Sequence, residues 1–118
     1  MNNENLDKSR ILEKTAREYF QSAQDEIKKL RYNSAVVLFF KSLVALIDLF
    51  ILQRLGETPS SHGERFRITQ TKFPEVYDLL DKDFPFYQDS YNILMSKELA
   101  EVVKEDVRKL AEKTKIKL

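Results

Sequence analysis

From Asn33 to Leu55 the chain contains neither Gly nor Pro, and between Ala35 and Leu52 apolar side chains fall on nearly every side of a helix. Val36, Val37, Leu38, Phe39, Phe40, Leu43, Val44, Leu46, Ile47, Leu49, Phe50, Ile51 and Leu52 cannot share one stripe, so this segment predicts a helix buried all round rather than a surface helix with one wet face. A chain of 118 residues has little material with which to cover such a helix, which predicts that it is shared with a second subunit. Val37, Phe40, Lys41, Val44, Asp48 and Ile51 are the residues expected in that homodimer seam.

Before this helix, Leu12, Ala16, Tyr19, Ala23, Ile27 and Leu30 recur every three or four residues, with acids and bases between them. The spacing predicts an amphipathic helix from about Asp7 to Leu30. The short link Arg31-Tyr32-Asn33 then implies an antiparallel pair, with Asn33 or Ser34 capping the second helix. All three prolines and both glycines lie after Leu55. Gly56 is placed to end the second helix in a left-handed turn running through Pro59 and Ser61. The pattern from His62 to Thr71 is ambiguous. Pro74 opens a short helix with Val76, Tyr77, Leu79 and Leu80, and Pro85 opens a further stretch with Phe86, Tyr87, Tyr91, Leu94 and Met95. Ser96 is placed to cap a last helix carrying Leu99, Val103, Val107 and Leu110. These elements predict an all-α chain, an up-and-down bundle of four or five helices forming one domain over residues 1–118. Fraying is expected at residues 1–6 and 114–118.

Composition narrows the partners. Lys plus Arg number 20 against 19 for Asp plus Glu, so no overall field draws the chain to nucleic acid or an anionic bilayer. The absence of Cys removes disulfides and thiolate chemistry and fits a reducing cytoplasm, the expected location. Met1 to Arg10 lack the basic-then-apolar layout of a secretory signal. Ser34 to Leu52 approaches the roughly 20 apolar residues that cross a bilayer. Lys41 and Asp48 argue against a span, since each would cost about 2.5 to 3.5 kcal/mol at mid-membrane. No membrane partner is expected.

Candidate chemistry is sparse. There is no glycine-rich phosphate loop, no histidine pair at metal spacing and no Gly-x-Ser-x-Gly elbow. No catalytic residue, metal or cofactor is therefore assigned. His62 has the right ionisation for acid–base work, but a packed or capping ring accounts for it more simply. Arg65 and Arg67 flank Phe66, an arrangement that suits a phosphate or RNA contact as well as a core phenylalanine between solvated arginines. Tyr87 and Tyr91, four apart, share a face and belong either to a stacking surface or to the core. Lys41 and Asp48, seven apart, lie on one side of the second helix. They fit a ligand pocket or subunit seam, or else a lysine in solvent and an aspartate bonded to another helix. Together His62, Arg65, Arg67, Tyr87 and Tyr91 make the possible ligand surface.

The succession Tyr19, Ala23, Tyr32-Asn33-Ser34-Ala35, the apolar helix through Ala45-Leu46, and Gly56-x-x-Pro59-x-x-His62 resembles the HEPN domain family over roughly Ala16 to Leu110. The resemblance implies a small helical bundle that dimerises through its central helices. Ribonuclease members of that family carry Arg, four to six residues, then His on a late helix. Here no histidine follows His62, Arg54 is separated from it by the Gly56 stop, and the late segment reads Tyr87-Gln88-Asp89-Ser90-Tyr91-Asn92. The chain is more similar to small noncatalytic members, often encoded beside a minimal nucleotidyltransferase. The resemblance thus implies a nucleotide- or RNA-binding or accessory, antitoxin-like module, with that nucleotidyltransferase as possible partner. The rival expectations are a divergent ribonuclease using His62 with Arg65 or Arg67, and a purely structural dimer.

Overall fold

The computed structural model describes residues 2–118 and contains five helices and no strand among them: α1 (Asn3–Lys28), α2 (Tyr32–Leu55), α3 (His62–Lys72), α4 (Pro74–Asp89) and α5 (Lys97–Thr114). α1 begins earlier than the apolar spacing predicts because Asn2 caps it, its side chain accepting from Asn5 N at 2.7 Å. Asn5 Nδ2 then donates to Gly56 O at 3.0 Å, fastening the first turn of α1 to the end of α2. At its other end α1 stops at Lys28. Leu30, expected on the buried stripe, instead sits in the left-handed region at φ 61°, with its side chain in solvent. A non-glycine residue there costs on the order of 1–2 kcal/mol, which the tight reversal into α2 requires.

α2 runs antiparallel to α1 through the middle of the bundle. Fully buried Ala16, Ala23 and Ala35 keep the two helices close, Phe20 packs edge-on against Phe39 with centroids 5.5 Å apart, and the buried Ser42 Oγ donates to Ala16 O at 2.7 Å. α5 covers a second side of α2 with Ala100, Val103, Val107 and Leu110, and α4 lies against a third. The helix is long and apolar enough to cross a membrane, yet 72% of its most apolar window is buried inside this one chain. The chain therefore supplies the cover that the sequence pattern assigned to a second subunit. Phe40, Asp48 and Ile51, expected in a subunit seam, are buried among the protein's own helices; Val37 and Val44 are half-buried and Lys41 is exposed.

Neither Asn33 nor Ser34 caps α2, whose N-cap is Arg31 with no side-chain bond. Asn33 has a different task. Its Nδ2 donates to Ser90 O and Ile93 O, both at 2.8 Å, and its Oδ1 accepts from Met95 N at 2.9 Å, fixing the loop between α4 and α5. The far end stops as predicted: Gly56 takes φ 77° and its amide reaches Leu52 O.

The ambiguous segment after Ser61 is helical, with Ser61 Oγ accepting from Glu64 N at 3.1 Å. Pro74 stands in the first turn of α4 as expected, but Pro85 lies inside that helix rather than opening another. An interior proline removes one amide and costs about 3 kcal/mol. Here its ring is exposed, and the inward face of Val76, Leu80, Phe84 and Tyr87 keeps the helix continuous. α4 ends at Asp89, so Tyr91 and Leu94 belong to the following loop and project into solvent. Ser96 caps α5, accepting from Leu99 N at 3.1 Å. Beyond α5, Ile116 and Leu118 pack on the core and Arg17 Nε donates to Lys117 O at 2.7 Å.

Candidate functional site

One groove gathers side chains from four helices. α2 contributes Phe40, Lys41, Val44, Ala45 and Asp48, which share one face by their spacing. Leu12 and Tyr19 of α1 form one wall, Tyr87 of α4 the other, and His62 at the start of α3 closes one side. The cavity holds about 280 Å3, close to the lower end of the range typical of small-ligand sites.

Its aromatic walls are held from behind. Phe40 stacks on Tyr87 with centroids 4.6 Å apart and planes at 18°, while Phe84 lies 5.4 Å from the His62 ring and 5.2 Å from Phe66. Phe66 is thus a packing residue. At the mouth, Lys41 Nζ stands 6.0 Å from the centre of the Tyr19 ring and makes no ion pair among the described residues, so its charge is available to an anion. Tyr91 meets Tyr87 edge-on at 5.5 Å, with the two hydroxyls 3.0 Å apart. That hydrogen bond holds the Tyr87 hydroxyl above its ordinary pKa.

Behind the groove lies an ion pair. Arg65 Nε and Nη2 donate to the two oxygens of Asp48 at 2.7 and 2.9 Å, a bidentate fork between α3 and α2. Burial pushes the Asp48 carboxyl up from its usual range, and the Arg65 hydrogen bonds and charge oppose that shift. The remaining guanidinium nitrogen, Nη1, lies 3.0 Å from His62 Nδ1. Arg65 is 7% exposed; the expectation of a solvated arginine is corrected, since a buried carboxylate requires its partner inside.

The expected ligand surface is therefore divided. His62 and Tyr87 line the groove, Arg65 supports it from beneath, Tyr91 touches only the rear of Tyr87, and Arg67 is exposed and absent from the groove lining. Lys41 and Asp48, assigned to a subunit seam, belong to the groove, as does Tyr19, which the sequence pattern treats only as part of a bundle stripe. No group of three His, Asp or Glu side chains among the described residues is arranged to hold a metal.

A wider hollow of about 630 Å3 lies between α4 and α5. Most of its charges are matched: Asp106 meets Lys82 at 2.8 Å and Lys109 at 3.5 Å, and Glu101 lies 4.0 Å from Lys104, while Lys97 and Glu98 line it without an ion pair among the described residues. The smaller groove, with a cation beside aromatic walls that the hollow lacks, is better equipped for a planar ligand. Beneath the hollow, the buried Asp83 faces Asp106, and neither of its oxygens meets a hydrogen-bond donor among the described residues. Sequence reasoning passed over Asp83, although it occupies a position on the inward face of Val76, Leu80 and Tyr87, where an aspartate is out of place.

No family model, curated protein or solved structure matches the chain.

Proposed function

We propose that this protein is a noncatalytic binding module whose groove takes a nucleotide, either free or as the end of a single RNA strand. The observation that carries the reading is the placement of the unpaired Lys41 ammonium beside an aromatic-walled cleft of about 280 Å3. Such a cleft suits a planar base, and the lysine suits a phosphate. The resemblance to noncatalytic HEPN proteins supports the same reading, and with it an accessory role beside a nucleotidyltransferase. The homodimer is retained as part of this proposal through the half-buried face around Val37, because Lys41 and Val44 line the groove; it no longer rests on a need to cover the whole of α2.

Calorimetric titration of the purified protein with nucleoside monophosphates and with short single-stranded RNA tests the proposal. Binding that weakens about tenfold in Lys41→Gln and is abolished by Tyr19→Ala supports it. Absence of binding to either probe at millimolar concentration rejects it. Native mass spectrometry of the same sample reads the subunit count independently.

A further inference from the structure

Arg65 reaches His62 with a group that only donates hydrogen bonds, because a guanidinium carries five N–H groups and no acceptor. The contact at 3.0 Å therefore requires Nδ1 of His62 to accept. In a neutral imidazole one nitrogen accepts and the other carries the proton, so the His62 proton is on Nε2. Arg65 cannot turn away to release the ring. Its other two donating positions are locked to both oxygens of Asp48, and both side chains are buried between α2 and α3.

We propose that the buried Asp48–Arg65 pair fixes His62 as a hydrogen-bond donor through Nε2–H, so that the groove recognises an acceptor oxygen of a phosphate held jointly by His62 and Lys41. This rests on the nucleotide-binding reading and names which end of the ligand the site grips. Asp48 and Arg65 are positioning residues, acting on the ligand through His62. Lys41 supplies charge and His62 supplies direction. The arrangement also sets His62 against service as a general base, since Nδ1 is occupied by Arg65 and Nε2 already carries the proton.

His62 is the chain's single histidine, so its ring signals in uniformly nitrogen-15-labelled protein need no assignment. Long-range proton–nitrogen correlation spectra, recorded in mildly alkaline buffer, read the tautomer directly in the unliganded protein. The expected result is a single species protonated at Nε2, with the Nδ1 shift displaced by an accepted hydrogen bond. Replacing the ion pair as a whole, in Asp48→Leu/Arg65→Met, should return the ring to the tautomer mixture of free imidazole while circular dichroism verifies the fold. Titration with inorganic phosphate and then with adenosine monophosphate should move the Nε2–H signal in the wild type, and about tenfold more ligand should be needed in the double variant.

A ring protonated at Nδ1, or a mixture identical in both proteins, overturns the inference; if adenosine monophosphate still binds, the nucleotide reading survives that failure. A fixed Nε2–H ring that responds to neither phosphate nor nucleotide overturns the phosphate assignment together with the nucleotide reading.

Discussion

The carboxyls of Asp83 in α4 and Asp106 in α5 meet inside the helix interface with neither Asp83 oxygen facing a donor, an arrangement two carboxylates hold only with a proton between them. Burial, then the hydrogen bond and charge of Asp106, push the Asp83 pKa up to about 9 from 3.8. Asp106 also lies 2.8 Å from Lys82 and 3.5 Å from Lys109, and its hydrogen bond holds the Lys82 ammonium above the usual lysine range.

The sign of the resulting pH dependence is fixed. Between 3.8 and about 9 the folded protein holds a proton on Asp83 that the unfolded chain has lost. This group's contribution is fully present below the lower value and disappears as pH rises through the upper one. Its slope approaches about 1.4 kcal/mol of lost stability per pH unit within the window. Asp83→Asn keeps a donor for Asp106 and removes the titration. Urea denaturation across neutral to alkaline pH should show a flatter profile and higher stability for that variant; an unchanged slope would count against the shared proton.

Breaking the Asp48–Arg65 fork from one side should be far worse than removing it entirely. Arg65→Met leaves a buried carboxylate alone, at a cost of about 3–5 kcal/mol. Asp48→Leu/Arg65→Met should recover most of that loss, because the desolvation penalty goes with the charges. Equilibrium unfolding of the three proteins reads the difference, and a double variant no more stable than Arg65→Met contradicts it.

Phe40→Glu should unfold the protein rather than separate subunits. The phenyl ring is buried against Tyr87 and Phe84 within one chain, so a carboxylate there meets no water. Circular dichroism together with sedimentation velocity distinguishes lost helicity from a folded monomer, and the folded monomer would restore the seam that the sequence pattern placed on this face.

Asn33→Ala strips three hydrogen bonds from the loop after α4. Leaving these backbone groups without the side chain should cost about 1–3 kcal/mol. Hydrogen exchange at the Met95 amide should quicken well beyond that of amides in mid-α2, and equal protection in both proteins would show that water replaces the clamp without loss.

How much of this was readable in the sequence depends on whether the signal was local. Gly56, Pro74 and Ser96 act within a turn of themselves, and each stands where local rules place it. The apolar excess of α2 predicted burial on every side, whereas a face of Ser34, Val37, Lys41 and Val44 stays partly open, and burial elsewhere does not say in advance whose side chains provide it. Asn33 offered a cap in sequence; its side chain found partners near residue 93 that spacing along α2 cannot reveal. Pro85 shows the opposite failure, a local breaker overruled by the packing of the face opposite it. The groove was half visible: His62, Tyr87 and the pair Lys41 and Asp48 stood out as residue types, whereas Tyr19 joins them only when α1 and α2 pair.

The three bonds at Asn33 also bear on how motion is distributed through the molecule. They pin the exit of α4 to the opening turn of α2, while the other end of α4 follows α3 almost without a break at Phe73. The Tyr87 wall of the cleft is thus anchored downstream. A swing of α3 about the Gly56–Ser61 turn is opposed in turn by the Asp48–Arg65 fork, so Tyr87 and His62 are held by separate fastenings and the cleft keeps its width.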